Sequence, residues 1–278
     1  MSFHVSFLPV SDKLTPYIQA YYIVRFDTIK DARRFKFFPI GNPHIVFYCN
    51  GKLTTYIKGT TFFSGEPTLH GHILQFFEFD ATPETEFAGI GFTPTGMYKL
   101  LGVNAREVSN CVKPLRDFIS DQGYMDRVSQ AQYDEEVAAA HDDFFLRKLS
   151  TVYPLPPVID QCVADIHAFQ GNISVDTLTR KYNCSRRYLE KHFSYGLGVT
   201  PGNFAKRIRF FDVMKKIEAE SVDRERQLTE FSYYDKSHFM KDFRFFMGEN
   251  PRSYFSRTPL FNILIKENYL IINRLDDK

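Results

Sequence analysis

Six basic side chains in the last third of the chain stand where they can meet a polyanion. Arg186, Arg187 and Lys191 form one set, and Lys236, Lys241 and Arg244 form a second about fifty positions later. If each set lies on a helix, Leu189 and Phe193, or Phe239 and Phe243, take the inner face at a spacing of four. The cations are then left outside, suited to phosphate oxygens and guanine edges in a DNA major groove.

A second group of residues would do different chemistry. His70 and His72 are two apart, so on a strand both point to one face. Glu78 follows at a spacing loosely like a cupin metal motif, and His44 is a further candidate ligand. Such a set would serve a metal-dependent oxygenase or isomerase. Against it, His70-Gly71-His72 sits beside turn residues, and the segment with Pro94 and Gly96 holds no histidine to complete a site. Partnered or surface histidines, with no metal and no cofactor, are the expectation. Arg25, amid Tyr21, Tyr22 and Val24, is a candidate anchor for an anionic effector in an apolar pocket, with His44 beside it as a second effector candidate. A solvated strand residue explains Arg25 as well, and is preferred. The cysteines, Cys49, Cys111, Cys162 and Cys184, contain no C-x-x-C pair and read as small buried hydrophobes.

The two groups demand different scaffolds, and the chain supplies both textures. From Gln19 to about Thr93, short runs rich in Tyr, Phe, Ile and Val alternate with turn signals. Strands are expected over Gln19–Asp27, Pro43–Cys49, Leu53–Lys58, Thr60–Phe63, Ile73–Phe79 and Phe87–Phe92, with Asn50-Gly51 as a hairpin turn. That spacing predicts an antiparallel barrel or sandwich. After Pro94 the texture is helical. Thr95–Leu101 reads as a short helix stopped by Gly102, and Asp126–Leu149 as a longer amphipathic one, suited to a dimer or interdomain contact or equally to a solvated amphipathic face. The prolines in Thr151–Pro157 then break the pattern.

From Val158 to Phe255 the chain contains a copy of itself at an offset of fifty. Lys191, Phe193, Gly198 and Pro201 recur as Lys241, Phe243, Gly248 and Pro251, while Ser185 is replaced by Asp235 and Leu189 by Phe239. Each copy carries an N-cap oxygen, apolar residues at four and eight, a Gly stop and a Thr-Pro or Asn-Pro restart. Ahead of Ser185, Ser174 caps a short helix over Val175–Tyr182, and Asn183-Cys184 make a tight turn, which is the grammar of helix-turn-helix. Pro201 to about Glu220 can form one connector of roughly 30 Å, near the ~34 Å between successive major grooves on one face of B-DNA.

At these residues a family resemblance becomes specific. Ile173–Phe193 (ISVDTLTRKYNCSRRYLEKHF), Gly198–Phe204 (GVTPGNF), Arg209 and Tyr233–Tyr254 (YYDKSHFMKDFRFFMGENPRSY) resemble the DNA-binding domain of AraC/XylS transcriptional regulators. The resemblance implies that Arg187, Glu190 and Lys191 in the first unit, and Lys236, Ser237, Met240 and Lys241 in the second, approach base edges. It implies phosphate contacts for Arg186, Arg244 and the start of the Pro251 helix. Tyr188, Leu189, Phe193, His238, Phe239 and Phe243 fall to core or half-core positions. One departure is Asp223–Phe231 (DRERQLTEF) followed by Ser232, where the family has an apolar, Ala-rich helix and a Gly turn. The first 125 residues more weakly resemble the cupin-like effector or oligomerisation domains that precede such units.

Charge follows the same division. Residues 172–258 hold 17 Lys and Arg against 11 Asp and Glu, whereas residues 1–155 hold 15 against 17. Only the C-terminal part is basic, as expected of the part that faces a polyanion. No run approaches a membrane span, and the first residues lack a signal-peptide pattern, so the cytoplasm is the expected compartment.

The expected architecture is α+β with two domains. A β-rich effector or oligomerisation domain covers 1–125, a helical linker 126–157, a double helix-turn-helix domain 158–258 and a tail 259–278. The expected function is non-enzymatic, sequence-specific binding of double-stranded promoter DNA, with a small-molecule effector, a homodimer and RNA polymerase as further partners and no membrane. The alternative is a cupin-type metal-dependent enzyme carrying an appended DNA-binding unit. A helical protein–protein adaptor is a third reading, and it predicts no salt-dependent affinity for DNA.

Overall fold

The computed structural model describes residues 4–26, 33–37, 42–57, 60–63, 65–219 and 236–255. Ten strands come first: β1 (His4–Leu8), β2 (Ile18–Arg25), β3 (Arg33–Phe37), β4 (His44–Asn50), β5 (Leu53–Ile57), β6 (Thr60–Phe63), β7 (Thr68–His70), β8 (Phe77–Ala81), β9 (Glu86–Phe92) and β10 (Val112–Pro114). They form two antiparallel sheets, ordered β1-β2-β9-β4-β7-β10 and β3-β8-β5-β6.

Alternation along β2 shows how the first sheet is covered on both faces. Tyr22 and Val24 meet Leu53, Phe79 and Ala81 of the second sheet. Tyr21 and Ile23 turn the other way, into the main core with Phe47, Ile90, Phe144 and Phe145. That outer face is packed by α1 (Gly96–Leu101), α2 (Gln122–Ser129) and α3 (Asp134–Lys148). The N-terminal unit is therefore a two-sheet β-sandwich with a helical layer on one side.

The helical remainder comprises α4 (Pro157–Ala168), α5 (Val175–Lys181), α6 (Arg186–Leu197), α7 (Pro201–Ala219), α8 (Lys236–Met247) and α9 (Pro251–Phe255). The α7 helix is shared between two cores. Phe204 and Ala205 pack with Leu178, Leu189, Phe193 and Leu197, while Phe210, Val213 and Met214 pack with Phe239, Phe243, Phe246 and Met247. No single face of α7 is uniformly apolar because its two halves bury different sides.

Several expectations need correction. Asn50-Gly51 does form a turn, with Gly51 at φ +68°, but β4 pairs with β7 and β9 while β5 pairs with β6 and β8. The turn carries the chain from one sheet to the other and closes no hairpin. A side chain at Gly51 would stand 2.6 Å from the Thr85 Cα, so the crossing is also tight. Ile73–Phe79 is not one strand: the chain is irregular until β8 begins at Phe77. Asp126–Leu149 is two helices, and both pack on the sheet, so the first part of the expected linker belongs to the β-rich unit. Asp121 caps α2 by accepting from the Tyr124 amide, and the Glu136 carboxylate caps the start of α3. β1, β3, β7 and β10 fall outside the expected strands, and β7 and β10, at three residues each, are too short to show alternation. The helix expected over Asp223–Phe231 and the tail 259–278 lie outside the described residues.

All four cysteines are free thiols. Among the described residues no helix is long and apolar enough to cross a membrane.

Candidate nucleic-acid interface

The first basic set is positioned by three caps. Ser174 Oγ accepts from the Thr177 amide at 3.0 Å and starts α5. Ser185 Oγ accepts from the Tyr188 amide at 3.1 Å and starts α6. Gly198, at φ +76°, ends α6 with its amide donating to Ser194 O. Asn183 takes the turn between α5 and α6 at φ +47°, a conformation Asn tolerates better than most residues. Leu189, Phe193 and Leu197 are fully buried, which rotates the opposite face of α6 outward.

On that outward face Arg186, Arg187 and Lys191 are exposed. Their charges are not equivalent. Arg186 is paired with Glu190 at 3.0 Å and with Asp176 at 3.4 Å. Arg187 and Lys191 have no ion pair among the described residues, so both cations are free to meet an incoming anion. Tyr188, expected in the core or half-core, is about one-third exposed, at 37%.

The second set lies on α8. Phe239, Phe243, Phe246 and Met247 are buried, while Ser237, Lys241 and Arg244 are exposed and Met240 is half-buried. Met240, Lys241, Arg244 and Phe245 line one shallow recess of about 340 Å³. His238, expected in the core or half-core, is exposed. Lys236 opens the helix; its side chain lies outside the described residues. The Asn250 side chain accepts from the Ser253 amide at 2.8 Å and caps α9.

The connector joins the two faces. At 19 residues and 1.5 Å per residue, α7 is about 28 Å long. Lys206, on its first half, is not available to DNA. It pairs with buried Asp242 of α8 at 2.6 Å and lies over the Phe245 ring at 4.9 Å, pinning α8 to α7.

The histidines do not gather. β7 ends at His70, so His72 lies beyond the strand and the shared-face geometry does not arise. His70 Nε2 is 3.0 Å from Thr68 Oγ1, and His44 Nδ1 is 3.2 Å from Tyr22 Oη. His44 and His70 face each other across β4 and β7. Burial lowers His44 to about 4; burial and then the neighbouring His44 lower His70 to about 3, so both are neutral imidazoles. Glu78 is on β8, in the other sheet. Among the described residues no three His, Cys, Asp or Glu side chains are grouped as metal ligands. Arg25 faces the helical layer, with Tyr21 and Ile23. It is held there by Glu86 at 3.0 Å and Asp134 at 2.5 Å, so its charge is spent tying β2 to β9 and α3.

The contacts between the two units were not anticipated. Residues 72–76, between β7 and β8, touch both helical cores. His72 Nε2 is 3.2 Å from Pro94 O, and Nδ1 accepts from buried Arg207 of α7 at 3.1 Å. Leu74 packs into the core of the first helix-turn-helix. The Phe76 amide donates to Phe246 O at 2.9 Å. On the other side, Asp160 of α4 receives Thr95 Oγ1 at 2.7 Å and Lys99 Nζ at 2.6 Å. A buried Arg within the otherwise ordinary run Lys206-Arg207-Ile208-Arg209 has no signature of its own, so only the tertiary partner identifies it.

Comparison with known proteins gives the following. The model of a domain of unknown function, DUF6597, matches residues 6–113. No curated protein matches the chain by sequence. Among solved structures, ToxT from Vibrio cholerae O395 bound to (E)-4-(8-methylnaphthalen-1-yl)but-3-enoic acid is similar at 13% identity and a TM-score of 0.47, covering 91% of this chain and 98% of its own. Unsaturated fatty acid bound wild-type ToxT from Vibrio cholerae strain SCE256 is similar at 16% identity and a TM-score of 0.42, covering 91% and 95%. A putative ethanolamine utilization protein, EutQ from Salmonella typhimurium, aligns at 14% identity and a TM-score of 0.26 with 33% of this chain and 70% of its own.

Proposed function

We propose that the protein is a DNA-binding transcriptional regulator of the AraC/XylS type, acting in the cytoplasm on double-stranded promoter DNA. One observation carries the reading. Two helices, α6 and α8, bury their apolar faces against opposite halves of α7 and leave outside cations that have no ion pair among the described residues: Arg187 and Lys191 on one, Lys241 and Arg244 on the other. Such helices fit the major groove, with base edges read by the first turns and phosphates met at the rims. Glu190, Ser237 and Met240 stand beside the cations and complete the reading set. Lys236 joins them by its place at the start of α8.

The β-rich unit supplies the control input, by sensing a small molecule or by dimerising. A cluster of Tyr22, His44, Tyr48, Thr68 and His70 supports the sensing role. His70 is also only two residues from His72, which touches α7. A change at the cluster has a short covalent path to the helices. No enzymatic role is proposed, and RNA polymerase is the partner such a regulator would meet at a promoter.

The test is affinity for genomic DNA fragments as a function of salt. Binding should fall steeply as salt rises, because each neutralised phosphate releases counterions. An affinity indifferent to salt would sink the reading in favour of a protein–protein adaptor.

A further inference from the structure

We propose that the β-rich unit lends a cation of its own, Arg106, to the DNA interface, where it binds a backbone phosphate beside α6. This rests on the DNA-binding reading above.

Along α6, Arg187, Lys191 and Ser194 follow one another at spacings of four and three, so they share one outward stripe. Ser194 is the last residue of that stripe, and Arg106 sits on it. Arg106 Nε donates to Ser194 Oγ at 2.9 Å, and Nη2 donates to Lys191 O at 3.1 Å. The guanidinium thus continues the row begun by Arg187 and Lys191, although it comes from the other unit.

Its placement is rigid. Residues 105–107 form a short 3-10 turn capped by Asn104, whose Oδ1 accepts from the Arg106 amide. The turn is fixed to the end of α6 by Ser109 Oγ, which donates to Gly198 O at 2.7 Å. Ala105 O lies only 2.5 Å from where a Gly198 Cβ would stand, so backbone meets backbone there.

Its charge is unspent. Other arginines of the β-rich unit are matched by carboxylates: Arg25 by Glu86 and Asp134, Arg116 by Glu66, and Arg127 by Asp143. Arg106 is exposed and has no ion pair among the described residues; both of its acceptors are neutral, and Nη1 is uncommitted. Two neutral hydrogen bonds orient a guanidinium without cancelling it. That is the arrangement a pre-organised phosphate contact needs. The location agrees, because the first half of a recognition helix meets base edges while groups flanking it meet the backbone.

The experiment compares full-length wild type, Arg106→Gln, Arg106→Lys and Arg187→Ala on a duplex the wild type binds and on an unrelated duplex, across a salt series. Thermal melts establish that each variant is folded. Gln keeps a donor for Ser194 and removes the charge; Lys keeps the charge. Arg106→Gln should bind about five- to tenfold more weakly near 0.1 M salt on both duplexes, with the log–log salt slope shallower by about 0.9, one phosphate's worth. Arg106→Lys should keep the wild-type slope. Unchanged affinity and slope in Arg106→Gln, with Arg187→Ala impaired, would overturn the Arg106 assignment and leave the DNA reading intact. Tighter binding by Arg106→Gln would also overturn it, showing that the side chain obstructs the groove face. Absence of salt-dependent binding by the wild type would instead remove the DNA reading, and this assignment with it.

Discussion

His72 Nδ1 accepts a hydrogen bond at 3.1 Å from the guanidinium of Arg207, a buried side chain on α7, the helix that joins the two helical cores. With Nδ1 accepting, the imidazole is neutral and its Nε2–H donates to Pro94 O. Burial lowers Arg207 to about 9, which still leaves a cation at neutral pH, spread over the Phe204 ring at 4.9 Å. His72→Phe keeps a ring and deletes the acceptor. It should cost about 1–3 kcal/mol in urea denaturation. In a double-mutant cycle with Arg207→Met the two losses should be strongly non-additive. Simple additivity would show that the contact transmits nothing.

The Phe76 ring fills the space that a side chain at Gly248 would need. A Cβ there would lie 2.0 Å from Phe76 Cε1, and Gly248 has φ +71°. Gly248→Ala should therefore lower Tm and increase hydrogen exchange at the Phe76 amide, which is bonded to Phe246 O. Adding Phe76→Ala should restore only part of the loss, since the backbone strain of about 1 kcal/mol remains. Full restoration would mean the left-handed backbone costs nothing.

Three histidines, His70 and His141 buried and His44 half-buried, make the β-rich unit sensitive to acid. Burial holds His44 at about 4 and His141 at about 3, and His70 is at about 3. Unfolded, each titrates near 6.5, so below that pH the unfolded chain binds more protons than the folded one. Their contribution is fully present above about pH 6.5 and is lost as pH falls toward 4 and 3. Each group adds up to about 1.4 kcal/mol per pH unit to the slope. His141 has one nitrogen near Tyr124 Oη and a second, Nε2, buried without a partner among the described residues. His141→Leu should flatten the acid limb of a stability–pH curve. A curve parallel to wild type would show that His141 is not the proton acceptor.

Removing the cap of α6 separates helix stability from charge. Ser185→Ala loses the bond to the Tyr188 amide and should cost about 1 kcal/mol in thermal or urea unfolding. DNA affinity should fall modestly, with the salt slope unchanged, because no cation is lost. A changed slope would place Ser185 itself at the phosphates.

The base-reading assignment is tested on α6 itself. Arg187→Ala and Lys191→Ala should each weaken specific binding by about 1–3 kcal/mol while leaving the melting curve intact. Binding isotherms that overlay the wild type would mean another face meets DNA.

Local chemistry was legible in the residues. Ser174, Ser185 and Gly198 announced the limits of α5 and α6, and Gly102 the end of α1, because a cap or a left-handed turn is decided within four residues. The repeat at fifty positions likewise announced two similar helices with cations outward. What covers each surface was not legible. Asn50-Gly51 encodes a turn, but whether the strands beside it pair with each other depends on β7, β8 and β9. Arg25 reads from the sequence as a solvated strand residue or an anion anchor, and Glu86 and Asp134, from distant segments, make it neither; nothing in the sequence around Arg106 marks the α6 contact it makes. Spacing along a chain specifies which way a side chain faces relative to its neighbours in sequence. Only the folded packing of distant elements decides which partner it meets, and hence whether its charge is spent or free.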